Sequence, residues 1–278
     1  MSNHVREVDQ GQRFMFGKNW SRFLSVLNHE RIAEGERSLQ EMLACENLKG
    51  LRFLDIGSGS GLFSLSARRL GACVHSFDYD PWSVACTREL RRRYFPEDEA
   101  WHIEEASVLD EAYMRSLGAF DIVYAWGVLH HTGDLWTALR YAQLPVAPNG
   151  LLWIAIYNDQ GPRSRLWLRI KRFYCTGLLG RVLTVGVFFP YFFLRGFVTD
   201  IVMGRNPARR YRDYKKRRGM SIMHDWIDWV GGYPYEVATP EAIIHFFERR
   251  GFSLKKLKTK AGLGNNEFVF EKHEHSDH

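Results

Sequence analysis

The stretch Phe53-Leu54-Asp55-Ile56-Gly57-Ser58-Gly59-Ser60-Gly61 decides how this chain folds. An apolar, strand-like run carries an acidic residue near its end and empties into a turn with glycine at every second position; a helical pattern starts at Leu62. Glycine permits positive φ and lets a ligand approach the backbone without meeting a Cβ. Such a turn suits a nucleotide-like molecule held at the edge of a parallel sheet.

Outward from this turn the pattern alternates. Strand-like runs at Leu51–Ile56, Cys73–Phe77, Trp101–Ile103, Asp121–Ala125 and Leu151–Tyr157 are separated by helical stretches at Leu62–Leu70, Trp82–Tyr94, Asp110–Leu117 and Leu135–Leu144. Alternation at this spacing predicts βαβ units and an α/β, doubly wound, mostly parallel sheet. Pro81 is placed for the first turn of a helix, and Pro148-Asn149-Gly150 reads as a turn ahead of the fifth strand. Upstream, Phe14 to Leu48 reads mainly as helix, with Phe23, Leu27, Ala33, Leu39 and Leu43 at helical spacing.

The organisation expected is an N-terminal helical cap over 1–50, a core over 51–158, an apolar and basic helical insertion over 159–235, a closing helix and strands over 236–271, and a flexible tail over 272–278. The sequence Thr239-Pro240-Glu241-Ala242 caps a helix over Ala242–Arg250, and Phe252–Leu257 and Glu267–Phe270 form an antiparallel pair at the sheet edge. The tail histidines His273, His275 and His278 read as a solvated end.

Composition excludes several classes. An apolar fraction of 45% with 25% charged residues argues against global disorder. Cys45, Cys73, Cys86 and Cys175 are scattered without a CxxC pair, which reads as small buried residues in a reducing cytosol, with neither disulfide nor metal site expected. The polar start at Met1 lacks an apolar h-region, so no secretory signal is expected. The net charge of +6 is concentrated: Arg205 to Gly219 holds eight Lys and Arg against Asp213, a net of +7 that leaves the remainder near −1.

Asp78 closes the second strand about 20 residues after the turn, where open α/β sites place a carboxylate for a ribose diol. The turn reads GxGxG, not GxGxxG, and Asp55 precedes it. A carboxylate there repels a pyrophosphate and suits a ligand bearing an ammonium group and no phosphate, which is the chemistry of S-adenosylmethionine. With the segments Leu54–Gly61 and Phe77-Asp78-Tyr79-Asp80, the chain resembles the class I S-adenosylmethionine-dependent methyltransferases over Leu51 to Tyr157. The segment from Asp121 to Val128-Leu129-His130-His131 looks like the D-x-V-x-x-x-x-V-L-H-H pattern of the quinone-biosynthesis branch, close to the type 11 and 23 methyltransferases.

This resemblance implies a seven-stranded, Rossmann-like methyltransferase sheet with S-adenosylmethionine as methyl donor. The cofactor residues it implies are Asp55, Gly57, Ser58, Gly59, Gly61, Asp78, Tyr79 and Trp126. The family's acidic position after the third strand falls on Ser107-Val108, so the adenine contact passes to Ser107 or the Val108 backbone. Phe16-Gly17-Lys18-Asn19-Trp20 is placed to fold over the cofactor.

On the acceptor side, His130 or His131 stands as candidate base, because histidine titrates near neutrality and the pair lies at the C-terminal edge of the sheet. His224 beside Asp225 is a second candidate, within a stretch dense in Trp, Tyr, His and Asp that suits an aromatic-walled pocket. The run Leu178 to Met203 reads as an apolar helical hairpin or lid, with membrane-surface contact through 178–218 and an oligomer interface as alternatives.

The expected function is O-methylation of a small hydrophobic or lipid-like acceptor by a cytoplasmic enzyme, peripheral at the inner membrane surface if the insertion touches lipid. Two alternatives stand beside it: an RNA methyltransferase using the basic insertion, and a non-catalytic cofactor-binding protein acting through that insertion. Nucleic acid ranks behind a small-molecule partner because the charge lies in one short run.

Overall fold

A computed structural model describes residues 3–25, 27–209 and 222–274. Three helices lead in: α1 (Asn3–Asp9), α2 (Gly17–Leu24) and α3 (His29–Leu43). The core runs β1 (Arg52–Ile56), α4 (Leu62–Arg69), β2 (Cys73–Asp78), α5 (Pro81–Tyr94), β3 (Trp101–Glu105), α6 (Glu111–Ser116), β4 (Phe120–Trp126), α7 (Leu135–Ala142) and β5 (Val146–Tyr157). The insertion contributes α8 (Pro162–Cys175), α9 (Leu178–Val202) and α10 (Ile222–Gly231), and the chain closes with α11 (Pro240–Glu248), β6 (Phe252–Lys258) and β7 (Asn265–Lys272).

Seven strands form one sheet in the order β3-β2-β1-β4-β5-β7-β6, parallel from β3 to β5. β7 slots antiparallel between β5 and the edge strand β6. The expected α/β, mostly parallel, Rossmann-like sheet is therefore what the chain forms. The order reverses between β1 and β4, and an open α/β sheet offers its ligand crevice beyond the strand C-termini at that reversal.

Strand alternation divides the core. Leu54, Ile56, Val123, Ala125, Leu152 and Ile154 pack to one side with α7 and α11, while Phe53, Val74, Ile122, Tyr124 and Trp153 pack to the other with α3, α4 and α5. Each large side chain fully buried here contributes ~1.5–3 kcal/mol. Asp80 caps α5 by accepting from Trp82 N at 2.9 Å, with Pro81 at the first position; Thr239 does the same for α11 through Ala242 N at 3.2 Å.

The structure corrects several readings. The mainly helical stretch over 14–48 is divided into α2 and α3, and α1 precedes them. Ala33 faces solvent, because the buried stripe of α3 runs through Ile32, Gly35, Leu39, Met42 and Leu43. β5 starts at Val146, pairing with Phe120 before Pro148-Asn149-Gly150 makes an excursion and pairing resumes at Leu151. Cys73 is exposed, because β2 begins with its side chain outward; Cys86 and Cys175 are buried.

Within the insertion, α8 and α9 form a helical hairpin turning at Thr176-Gly177. Tyr174, Cys175 and Val230 are buried at its base, packed with Trp167, Phe188, Phe192 and Trp229. Most of the basic run, residues 210–218, lies outside the described residues, as do His275 and His278.

Candidate functional site

The opening turn is made by its glycines. Gly57, Gly59 and Gly61 all have positive φ (72°, 55° and 81°), and a Cβ at Gly57 would collide with Val128 Cγ2. Gly57 N and Ser58 N donate to Phe77 O at 2.8 and 3.1 Å, which ties the turn to the end of β2. Asp78 then faces the turn: its Oδ2 accepts from Gly59 N and its Oδ1 from Asp80 N, both at 2.9 Å. Burial pushes the Asp78 carboxyl up to about 7, against those two backbone hydrogen bonds.

This corner is one end of a cavity of about 610 Å³, within the range of drug-sized ligand sites. Gly57, Gly59, Asp78, Tyr79, Ser107, Val108 and Trp126 line it together with Ala106 and Leu109. Trp126 is 39% exposed at the tip of β4, a cavity wall and not a core residue. Ser107 keeps its hydroxyl occupied, accepting from Leu109 N at 3.1 Å.

Asp55, Ser58 and Gly61 do not line the cavity. The pleat of β1 turns Asp55 toward α4, where it accepts from Ser64 Oγ in a chain running from Trp101 Nε1 through Ser76 and Ser64. Burial pushes this carboxyl up to about 7. Ser58 Oγ lies 2.9 Å from Thr87 Oγ1, and Gly61 passes close to Thr87 at the start of α4.

An N-terminal strap closes the donor end. Arg13 is its clasp: Nε donates to Glu7 Oε2 at 2.8 Å, while Nη1 and Nη2 reach the carbonyls of His131 and Thr132 at 2.7 and 3.2 Å. The guanidinium also lies 5.1 Å from the Tyr79 ring centre, and the Tyr79 hydroxyl donates to Glu7 Oε1 at 2.9 Å. Burial, with that Glu7 contact, pushes the Tyr79 phenol up to about 12. Gly17 N donates to Asp80 Oδ2 at 2.7 Å, and His4 Nε2 lies 3.6 Å from the same oxygen. Phe16 and Trp20 line the cavity, Trp20 beside Gly59. Sequence reasoning reached Phe16 and Trp20 but missed His4, Glu7 and Arg13, which carry no local pattern.

The histidine pair lies farther along the cavity, on the single 3₁₀ turn Leu129–His131 after β4. His130 is fully buried, its ring centre 4.1 Å from that of Tyr157. Its ring nitrogens lie near the Ala155 backbone without a hydrogen bond of ordinary geometry, and burial holds its pKa well below the usual range. His131 Nδ1 donates to Pro234 O at 2.5 Å, which leaves Nε2 as the lone-pair nitrogen. Burial pushes His131 down to about 3, so its ring is neutral at physiological pH.

Tyr157, Phe192, Trp226 and Trp229 wall the far end of the cavity. Lys171, wholly buried, donates to Trp229 O and lies 5.0 and 4.9 Å from the Trp229 and Tyr235 ring centres, pinning α8 to α10. The side chains of His224 and Asp225 lie outside the described residues, so only Trp226 and Trp229 of that segment are brought to the cavity.

Away from the cavity, His75, His102 and Glu104 meet across β2 and β3 with ligand atoms within 4.8 Å of one another. Glu104 Oε1 there accepts from Tyr113 OH at 2.7 Å and lies 2.7 Å from His75 Nε2. The sequence reading expected no metal site and did not bring these three residues together.

The donor end fits S-adenosylmethionine. Gly57 and Gly59 line the cavity beside Asp78, which offers a carboxylate at the strand end. Ser107 and Val108, which follow β3, line the cavity with Ala106 and Leu109.

A family model described as a methyltransferase domain matches residues 27–264. Among curated proteins, a ubiquinone biosynthesis O-methyltransferase of Methylocella silvestris is 35% identical over 111 residues, covering 40% of this chain and 41% of that protein. A tRNA U34 carboxymethyltransferase of Pseudomonas savastanoi pv. phaseolicola is 39% identical over 87 residues, covering 31% of this chain and 26% of that protein. The chain thus spans less than half the length of these relatives.

The magnesium protoporphyrin IX methyltransferase of Synechocystis PCC 6803, solved with bound SAH, superposes with a TM-score of 0.52 at 12% identity, covering 92% of this chain and 94% of that one. The N-methyltransferase NodS of Bradyrhizobium japonicum WM9 gives 0.51 at 13% identity, covering 94% and 100%. At such identities these likenesses speak to fold alone.

Proposed function

The chain belongs to the class I S-adenosylmethionine-dependent methyltransferases, and from that premise we propose that it methylates an oxygen of a small hydrophobic or lipid-like acceptor. The observation that carries this reading is His131 in the lining of the same cavity as the Asp78 corner and the aromatic wall, its Nδ1–H committed to Pro234 O and its Nε2 left as an acceptor. A hydroxyl nucleophile must shed its proton as it attacks, whereas a neutral amine already presents a lone pair. A proton acceptor in this place therefore favours oxygen.

When bound, S-adenosylmethionine supplies a methyl group already activated on a sulfonium. The protein's part is alignment and dryness. Asp78, Gly57 and Gly59 hold the ribose end, and Tyr79, Ser107, Val108 and Trp126 border the rest of the donor half. Tyr157, Phe192, Trp226 and Trp229 give a flat apolar acceptor its walls and exclude water. His131, with Nδ1–H committed to Pro234, accepts the acceptor's proton at Nε2 and passes it to solvent. His130 packs beneath it, their ring centres 4.5 Å apart, and holds it in place.

The test is methyl transfer from labelled cofactor, in detergent micelles, to an alkylated catechol and to its matched aniline. Label should appear on the catechol oxygen, and His131→Ala should lower kcat by about a hundredfold with a smaller change in KM. Transfer to the aniline or to tRNA alone, or no transfer to any acceptor, overturns the proposal.

A further inference from the structure

The α8–α9 hairpin has two faces. Inward, Gly180, Thr184, Phe188 and Phe192 follow one another at helical spacing; Phe188 and Phe192 pack on Trp167, and Phe192 lines the cavity. Outward, Leu178, Leu179, Val182, Val187, Leu194 and Val202 stand in solvent, 57% to 80% exposed. The helix is long and apolar enough to cross a membrane, yet only 6% of its most apolar stretch is buried. A soluble core helix would show the opposite. Contiguous apolar exposure on this scale calls for a partner.

Charge identifies the partner. Residues 160–219 hold fifteen Lys and Arg against Asp200 and Asp213, a net of +13 in a chain of net +6, so everything else sums to −7. Reading the basicity as one run at 205–219 understated it, because Arg163, Arg165, Arg169 and Arg172 are spread through α8. Those four are exposed, as are Arg181 and Arg195 on α9. A second copy would bring two strongly cationic faces together. RNA would neutralise the arginines and leave the leucines in water. An anionic bilayer accommodates both, with headgroups against the arginines and acyl chains against the apolar side chains.

The helix does not leave the globule. Trp226 of α10 packs on Phe189 and Phe192 at 5.3 and 5.6 Å between ring centres, near the middle of α9. β5 before the insertion and β7 after it pair with each other, so both flanks return to one body.

We propose that the outward face of the α8–α9 hairpin is a monotopic docking surface for an anionic lipid bilayer, with α9 lying in the plane of the headgroups. One helix thickness, about 10–12 Å, then separates the bilayer from the acceptor end of the cavity. Where the acceptor is lipid-like, the reading made above, Phe192 and Trp226 mark the side from which it enters. Docking itself does not depend on that reading.

The experiment is density-gradient flotation of the full chain with phosphatidylcholine vesicles, with and without one-quarter phosphatidylglycerol. The protein should float with the anionic vesicles at least about tenfold more than with phosphatidylcholine alone. The combined substitution Leu179→Asp, Val187→Asp and Leu194→Asp should reduce flotation by a similar factor, while cofactor affinity and Tm stay at wild-type values. Alkaline carbonate should release the protein.

Absence of flotation, equal flotation of the triple variant, or resistance to carbonate each overturns the proposal, the last in favour of a spanning helix. It is equally overturned by binding to tRNA without binding to vesicles, or by a dimer that ignores vesicles and that the triple variant dissociates. The acceptor assay runs in micelles and flotation needs no acceptor, so failure of one reading is distinguishable from failure of the other.

Discussion

The two ends of the cavity are built on different plans. The donor end is made of backbone and short-range geometry: glycine amides, the Phe77 carbonyl and the Asp78 carboxylate, closed by a strap whose polar groups bond to one another. The acceptor end is made of rings from three separate segments, Tyr157 of β5, Phe192 of α9, and Trp226 and Trp229 of α10, and its outer wall is apolar toward solvent. The first plan admits one ligand chemistry. The second sets only size, flatness and polarity, so on the proposed function the donor follows from the fold and the acceptor from the insertion.

The sharpest break in that contrast comes from Gly57. Gly57→Ala places a Cβ against Val128 in a backbone region that L-residues avoid, and should weaken cofactor binding by about a hundredfold or more in calorimetry. Wild-type-like affinity would mean the turn is not the tight element described.

Next is Asp78→Asn, expected to weaken binding by about 10–100-fold, the worth of a hydrogen bond to a charged group. The wild-type pH profile gives an independent check. With the carboxyl pushed up to about 7, the accepting form prevails above that pH. Affinity should therefore be full near pH 8 and fall as pH drops through 7 toward 6; a flat profile would separate Asp78 from the ligand.

Arg13→Ala should have a smaller effect, about fivefold on cofactor affinity, because it loosens the strap without removing a contact from the turn. Smallest of all, the triple aspartate substitution on α9 should leave folding stability and cofactor affinity each within about 0.5 kcal/mol of wild type, as exposed positions do. A large loss there would show that the two ends share more structure than their contacts indicate.

Much of the donor end was legible in the sequence. The spacing from Gly57 to Asp78 is a local consequence of one βα unit and one following strand, and alternation of strand and helix implied the sheet that joins them. Asp55 was misleading for an equally local reason: adjacency in sequence to the glycine turn suggests adjacency to the ligand, but strand parity sends its side chain toward Ser64. Arg13 could not be read at all, since its partners Glu7, Tyr79, His131 and Thr132 are gathered from across the chain. The α9 run gave its length and apolarity from sequence, yet a helix apolar all round fits a core, a bilayer or an interface equally. Burial rules out the core, and burial is a property of the fold.

The Arg13 clasp has a consequence for turnover. His4, Arg13, Phe16 and Trp20 border the donor chamber, so release of the spent cofactor past the strap requires Arg13 to leave two carbonyls and Gly17 to leave Asp80. Exchange is then expected to be slower than the chemical step, and rapid mixing should reveal a burst of one methylated acceptor per chain followed by a slower steady rate. On this account the first twenty residues act as the enzyme's clock, and loosening them would speed the steady phase while leaving the burst unchanged.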